Sequence, residues 1–248
     1  MFSLTATSSP FICLLGIPLK AEDYFFLGMH FINKREYEKA LKASNKSINL
    51  EPKNAYVWTV KSFSLSKLNK YGEALKASEK AIELEPDYYG GWHMKGYLLA
   101  ELDRYEEALK ASEKAIELGL NINSAWINKG YSLYSLKRYD EALKAFDKAI
   151  ELDPGDNVAW HYNGCALFEL GREEEALKSL DKAIELDPKE AEVWYCRARL
   201  HSIKKDKEKA LSDLFNAINL NADYKEKAKR QKDFKEFWEN EEFKKITS

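Results

Sequence analysis

Residues 55–88 read AYVWTVKSFSLSKLNKYGEALKASEKAIELEPDY, and residues 89–122 read YGGWHMKGYLLAELDRYEEALKASEKAIELGLNI. Aligned without a gap, they put Trp58 over Trp92, Ala74 over Ala108, Leu75 over Leu109 and Ile82 over Ile116. Working outward, Trp126, Trp160 and Trp194 continue the ladder at the same 34-residue step, and Tyr24 holds the slot one period earlier. Six units therefore begin at Ala21, Ala55, Tyr89, Asn123, Asn157 and Ala191, with no insertion or deletion among them. A fixed period of this length is the mark of a stacked repeat, in which each unit buries its apolar face on its neighbours.

Each unit reads as two helices. The first carries Trp or Tyr at its fourth position, a small residue four places on and an apolar residue three further on. Examples are Tyr24, Gly28 and Phe31, then Trp92, Gly96 and Leu99, and Trp160, Gly164 and Leu167. Steps of four and three fall on one helical face, and the small residue lets a second helix approach. The second helix, such as EEALKASEKAIEL at 106–118, keeps alanine in all six copies at Ala40, Ala74, Ala108, Ala142, Ala176 and Ala210. Alanine where two helices cross permits contact that a longer side chain would block. Four units end in proline, at Pro52, Pro86, Pro154 and Pro188, which stops the helix and turns the chain into the next unit.

On these residues the chain resembles the tetratricopeptide repeat, whose landmarks are a 34-residue period with Trp, Gly, Ala and Pro. The resemblance covers Ala21 to about Tyr224. It implies an all-α fold, a right-handed superhelical α-solenoid of tandem helix-turn-helix repeats closed by a C-terminal capping helix. The domain reading is 1–20 as an apolar leader, 21–224 as six repeats (21–54, 55–88, 89–122, 123–156, 157–190, 191–224) and 225–248 as capping helix and tail. The chain departs from the pattern where Lys61, Lys95, Lys129, Asn163 and Arg197 replace leucine, and where Ser62 and Ala198 replace glycine. Leu120 and Ala222 stand in place of the closing proline. The second-helix aromatic occurs only as Phe146, with Ser44, Ser78, Ser112, Leu180 and Leu214 elsewhere.

The two ends lie outside the period. In MFSLTATSSPFICLLGIPLK the apolar run from Phe11 to Ile17 is too short to span a bilayer, which takes roughly 20 residues. It also lacks the basic start of a secretory signal. It reads either as a loose leader or as a segment that docks Phe11, Ile12, Leu14 and Leu15 on the first repeat. At the other end, Asp223 and Glu226 have the spacing of a capping box opening a helix, and Phe234, Phe237 and Trp238 are its candidates to seal the last repeat.

Charged residues make up 32% of the chain, yet they sum to a net charge of -2, which argues against nucleic acid as a partner. Cys13, Cys165 and Cys196 form no Cys-x-x-Cys pair, and His30, His93, His161 and His201 are spread over different repeats. The expectation is a reducing, cytoplasmic setting, with no metal and no cofactor. Cys165 and Cys196, on adjacent first helices, are expected to lie near one another as reduced thiols. No phosphate loop, nucleophile motif or His-Glu-x-x-His helix is present, so the chain does not read as an enzyme.

The resemblance implies a scaffold that binds proteins through the face lined by its first helices. If the Trp–Gly–Leu stripe faces the second helix, the second, fifth, ninth and twelfth positions of each unit line that face. Of these 24 residues only Glu22, Glu192 and Arg199 are charged, and eight are Phe or Tyr. The candidate groove residues are Phe25, Met29, Tyr56, Phe63, His93, Tyr97, Ile127, Tyr131, Tyr134, His161, Phe168, Tyr195 and Arg199. Family members that clamp acidic C-terminal peptides do so with lysine, asparagine and arginine here, whereas this chain has Phe25 and Met29 at the first two matching places. An aromatic lining suits a peptide or amphipathic helix of another protein. The alternative is a structural or self-associating solenoid whose groove is filled internally or by its own N-terminal segment.

Overall fold

The computed structural model describes residues 19–119 and 122–248. Twelve helices form six pairs: α1 (Ala21–Asn33) with α2 (Tyr37–Leu50), α3 (Ala55–Lys67) with α4 (Tyr71–Leu84), and α5 (Tyr89–Glu101) with α6 (Tyr105–Leu118). There follow α7 (Asn123–Ser135), α8 (Tyr139–Leu152), α9 (Asn157–Glu169), α10 (Glu173–Leu186), α11 (Ala191–Ile203) and α12 (Lys207–Leu220). No strand occurs among the described residues. The leader expectation, with Phe11, Ile12, Leu14 and Leu15, lies outside the described residues. The chain divides into two compact units, one ending at Ser132 and the other beginning at Leu133, so the division falls within α7.

The turn inside each repeat has a fixed geometry. Arg35, Asn69, Asp103, Lys137, Gly171 and Lys205, one per repeat, all take left-handed backbone angles, with φ from 58° to 71°. The residue after each donates its N–H back to a carbonyl of the first helix, as Lys70 does to Leu65 and Arg104 to Leu99. Those bonds satisfy carbonyls that the helix end leaves open.

Packing within a pair depends on the small residues. All six repeat alanines, Ala40 to Ala210, are fully buried. A Cβ built on Gly164 would lie 2.8 Å from Leu180 Cγ and 3.3 Å from the Ala176 carbonyl. Where the second repeat has Ser62 in the glycine slot, its hydroxyl donates to the Ala74 carbonyl at 2.8 Å, so the added group meets an acceptor and not a wall. Gly164→Ala, pressed against a buried leucine with no such outlet, is expected to lower stability by about 1–3 kcal/mol. Urea denaturation followed by circular dichroism checks this, and a change below about 0.5 kcal/mol would show that Leu180 repacks freely.

Two bonds join successive repeats. The Trp indole N–H donates to the carbonyl of the proline six residues earlier, in Trp58 to Pro52, Trp92 to Pro86, Trp160 to Pro154 and Trp194 to Pro188, at 2.8–2.9 Å. Trp126 follows the repeat that lacks the proline, and its buried Nε1 has no acceptor among the described residues. The second bond explains the departure from leucine at the seventh position: Lys95 pairs with Glu79, Lys129 with Glu113, Asn163 with Asp147 and Arg197 with Asp181, each sixteen residues back on the preceding second helix. The lysines and Arg197 also lie over the Trp ring of their own helix, adding a cation–π contact.

After α12 the closing segment is helical but broken into three pieces: α13 (Tyr224–Arg230), a 3₁₀ turn (Lys232–Phe237) and α14 (Glu241–Thr247). The expected capping box does not form. Asp223 is already in helical geometry with no side-chain cap, and Glu226 turns to Lys229 instead. Phe234, Phe237 and Phe243 are buried against Leu211, Leu214 and Ile218 of α12, with Trp238 half-buried beside them. The seal named from the sequence therefore covers the last repeat as solenoid packing requires.

Candidate functional site

In the first unit the ninth positions of α3, α5 and α7 bring Phe63, Tyr97 and Tyr131 onto one face, each half-buried against the same cluster of Leu65, Leu98 and Leu99. A second set of rings interleaves with them. Tyr37, Tyr71 and Tyr105 open the second helices at the same 34-residue step, and Tyr37 meets Phe63 edge-on at 6.4 Å as Tyr105 meets Tyr131 at 6.3 Å. The groove candidates drawn from the sequence do not include these tyrosines, although their period is visible. The Tyr71 hydroxyl donates to Asn69 Oδ1 at 3.2 Å, and the negative charge of Glu101 acts on both Tyr71 and Tyr97. Burial first, and then this carboxylate, push the Tyr97 hydroxyl up to about 12.

Other candidates flank that row. Met29 and Tyr56 are exposed, Phe25 and Ile127 are half-buried, and Phe25 packs edge-on against the exposed Phe26. His93 is held below the usual imidazole range by burial. Tyr88, also missed, lays its ring 4.5 Å from that of Tyr56. Gly90 is required beneath it, because a Cβ there would come within 2.4 Å of the Tyr88 ring.

The second unit treats the equivalent positions differently, and three candidates are corrected. Tyr195 is only 2% exposed, covered by Tyr224 and Phe234 of the closing segment. Arg199 donates to Asp233 of the 3₁₀ turn at 2.6 Å and lies over the Phe168 ring. His161 is 4% exposed and points inward to Cys196. Tyr195 and His161 therefore line no open surface, and the guanidinium of the half-buried Arg199 is taken up by Asp233. Tyr134 packs on Tyr139 and Tyr162 in this unit, half-buried.

The inward-facing group is itself a constellation. Cys165 Sγ and Cys196 Sγ are 3.5 Å apart, and Cys196 Sγ is 3.7 Å from His161 Nε2. Both cysteines are free thiols. Cys165 and Cys196 lie together as the sequence leads one to expect, and His161 joins them: a four-residue step places it with Cys165 on one face of α9, so this histidine is not isolated as its place in the sequence suggested. A hydrogen bond from Cys165 and the nearby imidazole hold the Cys196 thiol well below its ordinary range against burial, while the same contact pushes Cys165 well above it. Burial lowers the His161 imidazole, but the bond to Cys196 outweighs it and the net shift is upward.

Comparisons with known proteins now bear on this geometry. Sequence profiles of the tetratricopeptide repeat match residues 22–54, 55–88, 77–110 and 124–156, and a TPR repeat profile matches 164–202. The chain is a tetratricopeptide repeat protein. Among solved structures, this repeat protein is similar to YrrB, described as a TPR protein with an unusual peptide-binding site, at 28% identity over 74% of this chain and 94% of that one, with a TM-score of 0.56. PilF of Pseudomonas aeruginosa is 18% identical over 88% of this chain and 96% of that one, with a TM-score of 0.72. A chain of the APC/C hetero-tetramer Cut9–Hcn1 is 15% identical over 98% of this chain and 46% of its own, with a TM-score of 0.81. No curated protein matches the sequence. No helix of the tetratricopeptide protein among the described residues is long and apolar enough to cross a membrane.

Proposed function

We propose that this tetratricopeptide repeat protein is a non-catalytic scaffold whose first unit binds an amphipathic segment of a partner protein on the face of its first helices. The observation that carries this is the row of Phe63, Tyr97 and Tyr131, half-open on one side and backed on the other by the repeat core. Rings repeated once per repeat match a ligand helix whose apolar anchors recur every three or four residues. Aromatic side chains also give large contact area at low entropic cost. A peptide-binding site named for YrrB, 28% identical to this chain, supports the same class of ligand.

Expected for Tyr97→Ala and for Tyr131→Ala is a loss of partner affinity of about 1–3 kcal/mol, the range of interface anchors, with helix content retained. Binding and melting are measured on the same variants, using the partner recovered with the intact protein. Unchanged affinity in the folded double variant would overturn the proposal and move the binding surface elsewhere on the protein. A second reading, a self-associating solenoid, predicts instead that the partner recovered is another copy of this chain, and that sedimentation shows oligomers dispersed by the same substitutions.

A further inference from the structure

The scaffold reading makes no use of the buried triangle of His161, Cys165 and Cys196. It is a polar cluster enclosed in a repeat interior, and its three donor atoms all lie within 4.8 Å of one another. A structural role alone would be filled more simply by small apolar residues, as Ala159 and Ala166 do on the same helix. The spacing suits a shared ion. With metal–sulfur bonds of about 2.3 Å and metal–nitrogen bonds of about 2.0 Å, a planar three-coordinate centre holds two sulfurs about 4.0 Å apart and a sulfur and a nitrogen about 3.7 Å apart, so loading would part the two sulfurs by about 0.5 Å. The sulfur–sulfur edge is 3.5 Å and the Cys196–His161 edge 3.7 Å. A disulfide would need the sulfurs at about 2.05 Å.

We propose that His161 Nε2, Cys165 Sγ and Cys196 Sγ form a buried three-coordinate site for a soft monovalent cation, copper(I). Two thiolates and an imidazole are the donors that soft ions select. Zinc is disfavoured, because it takes four ligands in closed sites and no fourth His, Cys, Asp or Glu joins the three among the described residues. Loading exchanges two thiol protons for one Cu(I), with no change of oxidation state, and leaves one net negative charge on the site with neutral His161.

The test uses the full chain carrying Cys13→Ser, so that Cys165 and Cys196 are its only thiols. Under anaerobic reducing conditions it is titrated with Cu(I), delivered as the acetonitrile complex, in competition with a chromophoric Cu(I) chelator, and in parallel with Zn(II). Expected are one Cu(I) per chain, protection of both thiols from a thiol-reactive reagent, and a rise in melting temperature, since the assembled site holds the ion more tightly than the separated ligands of the unfolded chain. Cys165→Ala, Cys196→Ala and His161→Gln, each checked for helix content, should lose stoichiometric binding and the melting shift. If His161→Gln fails to fold, the cysteine variants decide. Cu(I) uptake that survives the two alanine substitutions, zinc bound in preference to Cu(I), or a stoichiometric Cys165–Cys196 disulfide in freshly isolated protein would each overturn the proposal.

Discussion

Phe234→Ala is expected to destabilise the second unit by about 3–5 kcal/mol, the cost of truncating a fully enclosed aromatic. The ring has no exposed surface and packs among Tyr195, Leu214 and Phe243, where the closing segment meets the last repeat. Its removal leaves a cavity that two short helices and a 3₁₀ turn have little capacity to refill, because helices this short depend on tertiary contacts for their existence. Equilibrium urea unfolding gives the size of the effect. The substitution should also open Tyr195 and loosen the Arg199–Asp233 pair, so faster amide exchange is expected through 224–247 than in the first unit. A loss below about 1 kcal/mol would mean that the closing segment contributes little to the stability of the sixth repeat.

The other large effect concerns a charge inside that repeat. Asp213 is 4% exposed and is held by two bonds from Arg197, at 2.7 Å from Nε and 2.8 Å from Nη2. The imidazole of His201 is 3.8 Å away, but burial holds it below the usual imidazole range and so favours its neutral form, which cannot replace the guanidinium. Arg197→Met removes the guanidinium and leaves a buried carboxylate without a full partner, for which about 3–5 kcal/mol of destabilisation is expected. The double variant with Asp213→Leu removes the stranded charge as well and should recover most of that loss. The four-way comparison of unfolding free energies separates the two terms. A double variant as unstable as Arg197→Met alone would show that the Arg197 stem and its contacts with Trp194 and Asp181 carry the stability instead.

The difference between these residues and the groove row also marks how far the sequence could be read. The repeated packing was legible, because six aligned copies separate a packing requirement from chance: the buried alanines and the glycine crossing follow from one period. Elements that occur once were not. The closing segment has no second copy to align with, so its single expected helix became three pieces, and Asp223 lost its cap when Glu226 found Lys229. Tyr195 and Arg199 were assigned by periodicity to an open face, but periodicity carries no information about a later segment folding over it. The nearness of Cys165 and Cys196 was legible from their places on adjacent first helices, but His161 beside them was missed: its proximity to Cys196 crosses a 35-residue offset between helices, and no alignment column contains both. Tyr37, Tyr71 and Tyr105 were in plain periodic view and were left out because the groove positions were taken from the first helices alone, whereas these rings open the second helices and reach back to the row.

The bonds between repeats have a consequence for how such a chain grows. The indole reaches a carbonyl six residues back, and the seventh-position side chain reaches a partner sixteen residues back, so both joints are defined by offset and not by absolute place. Copying or deleting one whole 34-residue module leaves every offset intact, and a gene that recombines in that unit keeps encoding a foldable product. The second helices YGEALKASEKAIEL (71–84), YEEALKASEKAIEL (105–118) and YDEALKAFDKAIEL (139–152) carry the imprint of such duplication, being almost interchangeable. Their first helices have meanwhile diverged at the second, fifth and twelfth positions, while the ninth keeps an aromatic ring in Phe63, Tyr97 and Tyr131. Inheritance by modules thus frees the surface letters to drift while the joinery stays fixed, and repeat number becomes a heritable variable of its own.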